Sequence, residues 1–178
     1  STNILLILSL LVEKKGIPYL IEAMPNILKK NPDTILIIAG HGDLESSLKQ
    51  MVVDKNIQKN ILFVGRVEAD KTRAYFSLAD IFVLPSIIDA NKDTETLGVV
   101  ALEALSCETP VVASRIGGIP DVVTNEVGIL VEPKNPTAIS AAINKLLDDK
   151  KGLQSMGKMG RKRMINFFGD DAIINDIK

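Results

Sequence analysis

A doubly wound α/β domain built on a parallel sheet of about six strands is the fold class this chain predicts, and three observations carry it. Short apolar runs, among them ILLILSLL, TILIIA and IFVL, recur along the 178 residues, as strands buried on both faces of a sheet do. Stretches of helical period such as IPYLIEAMPNILKK lie between them, which is the alternation that parallel strands and crossover helices need. No hairpin turn signal joins any two of the runs. With 46% hydrophobic residues, a chain of this length can build one compact core and leaves little room for a second.

The elements follow in order. Ile4 to Leu11 is a continuous apolar run, too short for a typical helix, and reads as the first strand. After the loop VEKKG, the helix IPYLIEAMPNILKK puts Leu20, Ile21, Met24, Ile27 and Leu28 on one stripe. Pro18 stands near its start, where a missing amide is harmless, and Pro25 is expected to bend or interrupt it. Thr34 to Gly40 is a second strand. His41, Gly42 and Asp43 then turn the chain into the helix DLESSLKQMVVDKN, with Asp43 as the expected cap. A third strand at Ile61 to Val64, a helix over about Asp70 to Leu78 and a fourth strand at Ile81 to Leu84 come next. Beyond a long loop, the helix of LGVVALEAL ends near Cys107, and PVVAS from Pro110 is a fifth strand. Gly117 and Gly118 precede a short helical turn in PDVVT, and a sixth strand occupies about Gly128 to Val131. Asn135 and Pro136 form a cap and first-position pair for TAISAAINKLLDD, and the rest from about Gly152 is polar with a helical pattern.

The stretch from Pro85 to Gly118 holds the candidate chemistry. Ligands of doubly wound sheets bind outside the carboxyl ends of the strands, and this loop leaves such an end. Glu95 and Glu103 are eight positions apart, a little over two helical turns, so on or near one helix they would project to roughly the same side. The helix is expected to begin near Leu97. The amides of Leu97, Gly98, Val99 and Val100 are then unsatisfied first-turn donors facing the loop mouth, and Gly98 lets a ligand come close.

Other chemistries find little support. A formal charge of -1 with both signs interspersed gives no field for nucleic acid or an anionic membrane. The single cysteine, Cys107, excludes an internal disulfide, fits a reducing compartment, and lacks a neighbouring base, since the one histidine is His41. No apolar run approaches the length that spans a bilayer, and ILLILSLLV lacks the basic start and cleavage site of a signal peptide. The segment after the first strand, SLLVEKKG, carries no dinucleotide-binding glycine fingerprint, and Gly40-His41-Gly42 is only a fragment of one. Asp89, Asp93, Glu95 and His41 have no metal-ligand spacing, so no metal is expected.

Taken together, LVEKKGIPYLIEA, IIAGHGDLESSLK, SLADIFVLPS, ETLGVVALEAL, TPVVASRIGGIPDVV and GILVEPKNP occur in family order over nearly the whole chain. The sequence resembles the C-terminal, nucleotide-sugar-binding domain of retaining glycosyltransferases of the GT-B fold, family 4. The resemblance implies one Rossmann-like half of that fold over residues 1–178, with a separate acceptor-binding N-terminal domain missing from this sequence and the last helix, about 170–178, packing toward it. It further implies that Glu95 contacts hydroxyls of the donor sugar and that Glu103 holds the ribose hydroxyls. Leu97, Gly98, Val99 and Val100 would offer amides to the diphosphate, and Lys15 would neutralise it. Gly65 and Arg66 would shape the base pocket, mainly through backbone. Glu95 and Lys15 are thereby the catalytic candidates, with neither glutamate a nucleophile.

The chain departs from the family pattern at three points. Ser9 and Leu10 stand where the family usually has Gly-Arg, and leucine cannot replace that charge. The loss of one charge-assisted contact is worth about 1.5 to 3 kcal/mol, and Lys14, Arg66 and Arg115 are the cations that could compensate. Glu108 replaces a common glycine after the helix, where a left-handed turn would cost about 1 to 2 kcal/mol. Thr96 replaces a frequent small residue. The basic cluster Lys158, Arg161, Lys162 and Arg163 reads first as a solvated helix face.

The resulting expectation is the donor-binding part of a metal-independent hexosyltransferase that needs no cofactor and uses a UDP-, GDP- or ADP-linked sugar. Its acceptor would be a glycan, a lipid or a small molecule, with no nucleic acid partner and no transmembrane segment. The expected location is cytoplasmic, peripheral at the inner membrane through the missing domain. By itself this chain should bind nucleotide and turn over poorly. The alternatives are a non-catalytic sugar-nucleotide binding module, or a GT-B sugar-nucleotide epimerase.

Overall fold

The computed structural model describes residues 2–168, with side chains through Asn166. Six strands, β1 (Asn3–Leu8), β2 (Thr34–Ala39), β3 (Ile61–Gly65), β4 (Ile81–Leu84), β5 (Val111–Ser114) and β6 (Gly128–Val131), pair in the order β3-β2-β1-β4-β5-β6. Every pairing is parallel. The chain first builds the sheet outward from β1 to β3, then returns to lay β4 on the other side of β1. That reversal opens a crevice beyond the carboxyl ends of β1 and β4.

Alternation along the strands sends side chains to two cores. Leu5, Ile7, Leu36, Ile38, Val83 and Val112 face one side, where they meet α1 (Ile17–Lys30), α2 (Glu45–Asp54) and α6 (Pro136–Asp148). Leu6, Ile37, Phe82, Leu84, Val111 and Ala113 face the other, against α3 (Ala69–Leu78), α4 (Val99–Ser106), α5 (Ile119–Val122) and Met164 of α7 (Lys150–Phe168). Burial on both faces explains why the strands read as unbroken apolar runs, each fully buried Leu or Ile contributing about 1.5 to 3 kcal/mol.

Several local expectations are corrected. The first strand ends at Leu8 rather than Leu11. Beyond it Leu10 turns outward, 53% exposed, while Leu11 returns to the core. Helix α1 runs through Pro25 without a break. Pro25 lies on the solvent-facing side, where water can take the carbonyl that the missing amide leaves. Asp43 is not the cap of α2: the capping position is Leu44, without a side-chain bond, because the turn is held by backbone, Leu44 N–H to Leu11 O at 3.0 Å and Glu45 N–H to Gly42 O at 3.1 Å. Asn135 does cap α6, accepting from the Ala138 amide at 2.9 Å.

Helix α4 begins at Val99, with Gly98 as its left-handed cap at φ 71°. Glu95 therefore lies in the loop ahead of the helix and only Glu103 is on it, so the two carboxylates are not a pair on one helical face. The helix closes with Glu108 N–H to Leu105 O at 3.1 Å and Thr109 N–H to Ala104 O at 3.0 Å. This is a Schellman closure, and it holds Glu108 at φ 63°, the left-handed position anticipated there. The expected last helix, about 170–178, lies outside the described residues. Among the described residues, no helix is long and apolar enough to cross a membrane.

Candidate functional site

The loops leaving β1 and β4 are sewn together across the crevice, beginning with the backbone. Ile87 N–H donates to Lys14 O at 2.8 Å. Gly16 sits at φ 64° with its Cα so close to the other loop that an added Cβ would lie 1.9 Å from Pro85 O. Only glycine fits this approach. A 3-10 turn over Glu13–Lys15 precedes it and brings two lysines to the crevice edge.

Both lysines are matched by acids of the β4 loop. Lys14 Nζ meets Asp93 Oδ2 at 2.7 Å, with both side chains substantially exposed. The hydrogen bond from Lys14, supplemented by the Thr94 amide, holds the Asp93 carboxyl below its ordinary range, and Asp93 in return raises Lys14. Asp93 itself belongs to a closed turn: Asp89 N–H donates to Asp93 O at 2.9 Å, and Asp89 Oδ1 accepts from the Asn91 and Asp93 amides, each at 2.9 Å. Lys15 Nζ donates to Glu95 Oε2, and each of these side chains is only 15% exposed. The two catalytic candidates named from the sequence are thus in direct contact.

From the far side, the loop after β5 supports the same segment. A Cβ on Gly117 would lie 2.0 Å from Glu95 O, and Gly118 N–H donates to Thr96 O at 2.9 Å. The backbone at Glu95 and Thr96 is thus held by the glycine pair, while Lys14 and Lys15 engage the side chains of Asp93 and Glu95. Next to it, Leu97, Gly98, Val99 and Val100 lead into α4, and among the described residues their amides make no hydrogen bond within the chain. The first turn closes through Ala101 N–H to Gly98 O at 2.7 Å. Leu97 and Val99 are exposed, 44% and 56%, whereas Gly98 is buried, with the place of a Cβ facing Ile119 and Leu84 at 3.4 Å each. This glycine therefore serves the left-handed turn into α4 and not the close approach of a ligand expected from the sequence. Unpaired first-turn amides beside a lysine make an anion-binding arrangement.

The other expected binding residues have fewer partners. Glu103, on α4, is partly buried and makes no ion pair among the described residues, and burial pushes its carboxyl above the ordinary value. Gly65 ends β3 at φ 69° with open space where a Cβ would be, and Arg66 beyond it is exposed with no partner among the described residues. Leu10 offers no charge and leaves its side chain in solvent. Of the cations considered in its place, Lys14 is held by Asp93, and Arg115 lies 3.6 Å from Glu132, an exposed pair.

Other candidates are assigned to structure. Gly40-His41-Gly42 serves as a ledge for the β1 loop, with Leu11 N–H on His41 O at 2.8 Å. Asp89, Asp93 and Glu95 do not gather with His41, and among the described residues no group of three His, Cys, Asp or Glu side chains could hold a metal. Cys107 is partly buried, its thiol pushed up mainly by burial. In the basic cluster, Arg163 Nη2 donates to Asp121 O at 3.1 Å and Arg161 lies 4.0 Å from Glu108. Three features were missed in the sequence: the Lys14–Asp93 pair, the contact of Gly16 with Pro85, and the buried hydroxyls of Ser86, Thr94 and Ser114, which lack partners among the described residues. The run of closely spaced Asp and Lys in IDANKDTE was the available signal for the first.

Residues 1–163 match the model of the family described as glycosyl transferases group 1. Among curated relatives, a GDP-mannose-dependent monoacylated alpha-(1-6)-phosphatidylinositol monomannoside mannosyltransferase of Corynebacterium glutamicum is 37% identical over 162 residues, 90% of this chain and 42% of that protein. Among solved structures, a sucrose-phosphate synthase from Thermosynechococcus elongatus superposes with a TM-score of 0.82 at 31% identity, over 92% of this chain and 40% of that one. The C-terminal domain of a glycosyl transferase group 1 family protein from Francisella tularensis gives 0.80 at 25% identity, over 93% and 85%. The chain spans about two fifths of the length of the first curated relatives, 36%, 42% and 41%.

Proposed function

The chain belongs to the glycosyl transferases group 1 family, and from that premise we propose that it is the C-terminal, donor-binding domain of a retaining, metal-independent hexosyltransferase of family 4. The observation that carries this reading is the pairing of Lys15 with Glu95, just ahead of the unpaired amides of Leu97, Gly98, Val99 and Val100, at the crevice between β1 and β4. A cation and fixed amides suit a diphosphate, and a neighbouring carboxylate suits sugar hydroxyls.

On this reading the diphosphate lies over the start of α4, the ribose hydroxyls donate to Glu103, and the base lies toward Gly65 and Arg66. In the reaction the bond from the anomeric carbon to the phosphate oxygen breaks, and negative charge grows on the leaving diphosphate. Lys15 and the preorganised amides stabilise that charge. The acceptor oxygen bonds the anomeric carbon from the same face and passes its proton to a leaving phosphate oxygen. Glu95 orients the sugar and forms no bond to it. The acceptor, a glycan, a lipid or a small molecule, is supplied by a further domain. A cytoplasmic place, peripheral to the inner membrane through that domain, completes the proposal.

Calorimetric titration with UDP, GDP and ADP and their sugar conjugates tests the reading. GDP-mannose is the first donor to try, since relatives are named as GDP-mannose-dependent. Heat with one nucleotide family and none with the others supports the reading; no heat with any of them overturns it. A second reading, a binding module without catalysis, is favoured by Leu10, exposed where the family usually has arginine. Transfer to an acceptor by the chain joined to an acceptor-binding domain would exclude it.

A further inference from the structure

Lys15 and Glu95 satisfy each other before any ligand arrives. Lys15 Nζ donates to Glu95 Oε2, neither side chain makes another hydrogen bond among the described residues, and both are largely withdrawn from water. A diphosphate that takes Lys15 must draw it from Glu95. Resting on the reading above, we infer that Glu95 makes the site distinguish a sugar-nucleotide from the bare nucleoside diphosphate, because only the former compensates the carboxylate for the lysine it loses.

The argument is one of partners. A carboxylate with little solvent contact is costly to leave without donors. Hydroxyls of a donor sugar can replace Lys15. A bare nucleoside diphosphate brings no such donors, and its terminal phosphate adds negative charge where the sugar would have been. Lys14 feels the charge of Glu95, but its hydrogen bond goes to Asp93 at 2.7 Å, so it gives Glu95 no donor in place of Lys15. The bare diphosphate therefore competes with re-formation of the ion pair, and after sugar transfer that pair re-forms as the product leaves.

The backbone allows the exchange without rearrangement. Glu95 and Thr96 are pinned through their carbonyls by Gly117 and Gly118, and Lys15 N–H donates to Val12 O at 3.1 Å. Only the two side chains need to rotate. Glu95 is on this account a specificity-determining residue with opposite effects on the two ligands, whereas a residue that merely supported the site would weaken both.

The test titrates the wild type, Glu95→Gln and Lys15→Met with GDP, GDP-mannose, UDP, UDP-glucose, ADP and ADP-glucose, folding being checked for each variant by circular dichroism. Glu95→Gln frees Lys15 and removes the carboxylate's charge, so it should tighten the bare diphosphate about five- to tenfold while loosening the sugar conjugate. Lys15→Met should weaken both ligands. Unchanged or weakened diphosphate binding in a folded Glu95→Gln variant overturns the inference and leaves the donor-binding reading intact. Should Gln disturb the loop, Glu95→Asp serves: keeping the charge, it should not tighten the diphosphate, and tightening there would equally overturn the inference. If the wild type binds none of the six, or if Lys15→Met changes none of them, the donor-binding reading fails and the inference with it.

Discussion

The two rims of the crevice differ in how their polar groups are satisfied. On the rim between β1 and β4 the charged side chains already have partners, Lys14 with Asp93 and Lys15 with Glu95, and the backbone of residues 95 and 96 rests against the glycines after β5, while the amides of Leu97 to Val100 stay unpaired among the described residues. Among the residues expected at the second rim, Glu103 on α4 is partly buried without an ion pair, and beyond β3 Gly65 faces open space and Arg66 has no partner, among the described residues. A ligand entering the first rim must displace contacts. At the second it only adds them. On the proposed reading, discrimination would belong to the sugar and diphosphate end, and affinity to the nucleoside end.

The largest expected effect comes from breaking the seam beneath the first rim. Gly16→Val would place its Cβ 1.9 Å from Pro85 O at a left-handed φ, and should cost about 3 kcal/mol of stability, read as a lowered urea midpoint. A midpoint equal to wild type would show that the loops are not pressed together as described. Next is Lys15→Met, which removes the cation paired with Glu95 just ahead of α4 and should weaken nucleotide binding about ten- to a hundredfold. A loss below twofold would contradict the placement of the diphosphate against Lys15, and the donor-binding reading with it.

Much of this frame was legible in the sequence, and the reason is burial. Strands covered on both faces must be apolar throughout, so ILLILSLL, TILIIA and IFVL declare themselves, and Asn135-Pro136 announces a helix start by local chemistry alone. The end of β1 was misplaced because Leu11 is as buried as any strand residue while belonging to a loop. Pro25 could not be judged without knowing that its side of α1 faces water. Asp43 failed as a cap because a distant residue, Leu11, already satisfied the Leu44 amide.

The site was legible in part. The resemblance named Lys15 and Glu95, but not their contact, since residues 80 positions apart in sequence leave no local trace of pairing. The eight-residue spacing of Glu95 and Glu103 suggested one helical face, whereas the helix starts after Glu95, where Gly98 takes its left-handed turn. Asp93 looked like a loop residue and proved to be a latch on Lys14.

The second rim offers a sharper contrast between stability and binding. Glu103 has a folded-state pKa raised by burial, so its ionisation opposes folding. Its stabilising share is complete below the ordinary carboxylate pKa and is lost as pH rises through the raised one. Glu103→Gln should therefore melt slightly higher than wild type at neutral pH, with the difference vanishing under acid conditions, while nucleotide binding falls about tenfold as ribose contacts weaken. A lower melting point at neutral pH would contradict the burial argument. The smallest effect is expected from Leu10→Arg in the loop after β1, where Leu10 is exposed. A new charge there should tighten nucleoside diphosphate about threefold, and no change would mean that Lys15 suffices.

Amide resonances read the central claim most directly. With the backbone assigned, a saturating titration of the nucleoside diphosphate that binds in calorimetry should shift the amides of Leu97, Gly98, Val99 and Val100 most strongly, together with the Lys15 side chain. Shifts confined to other loops, such as Gly40 to Gly42, with these four amides unmoved, would contradict the placement of the diphosphate at the start of α4.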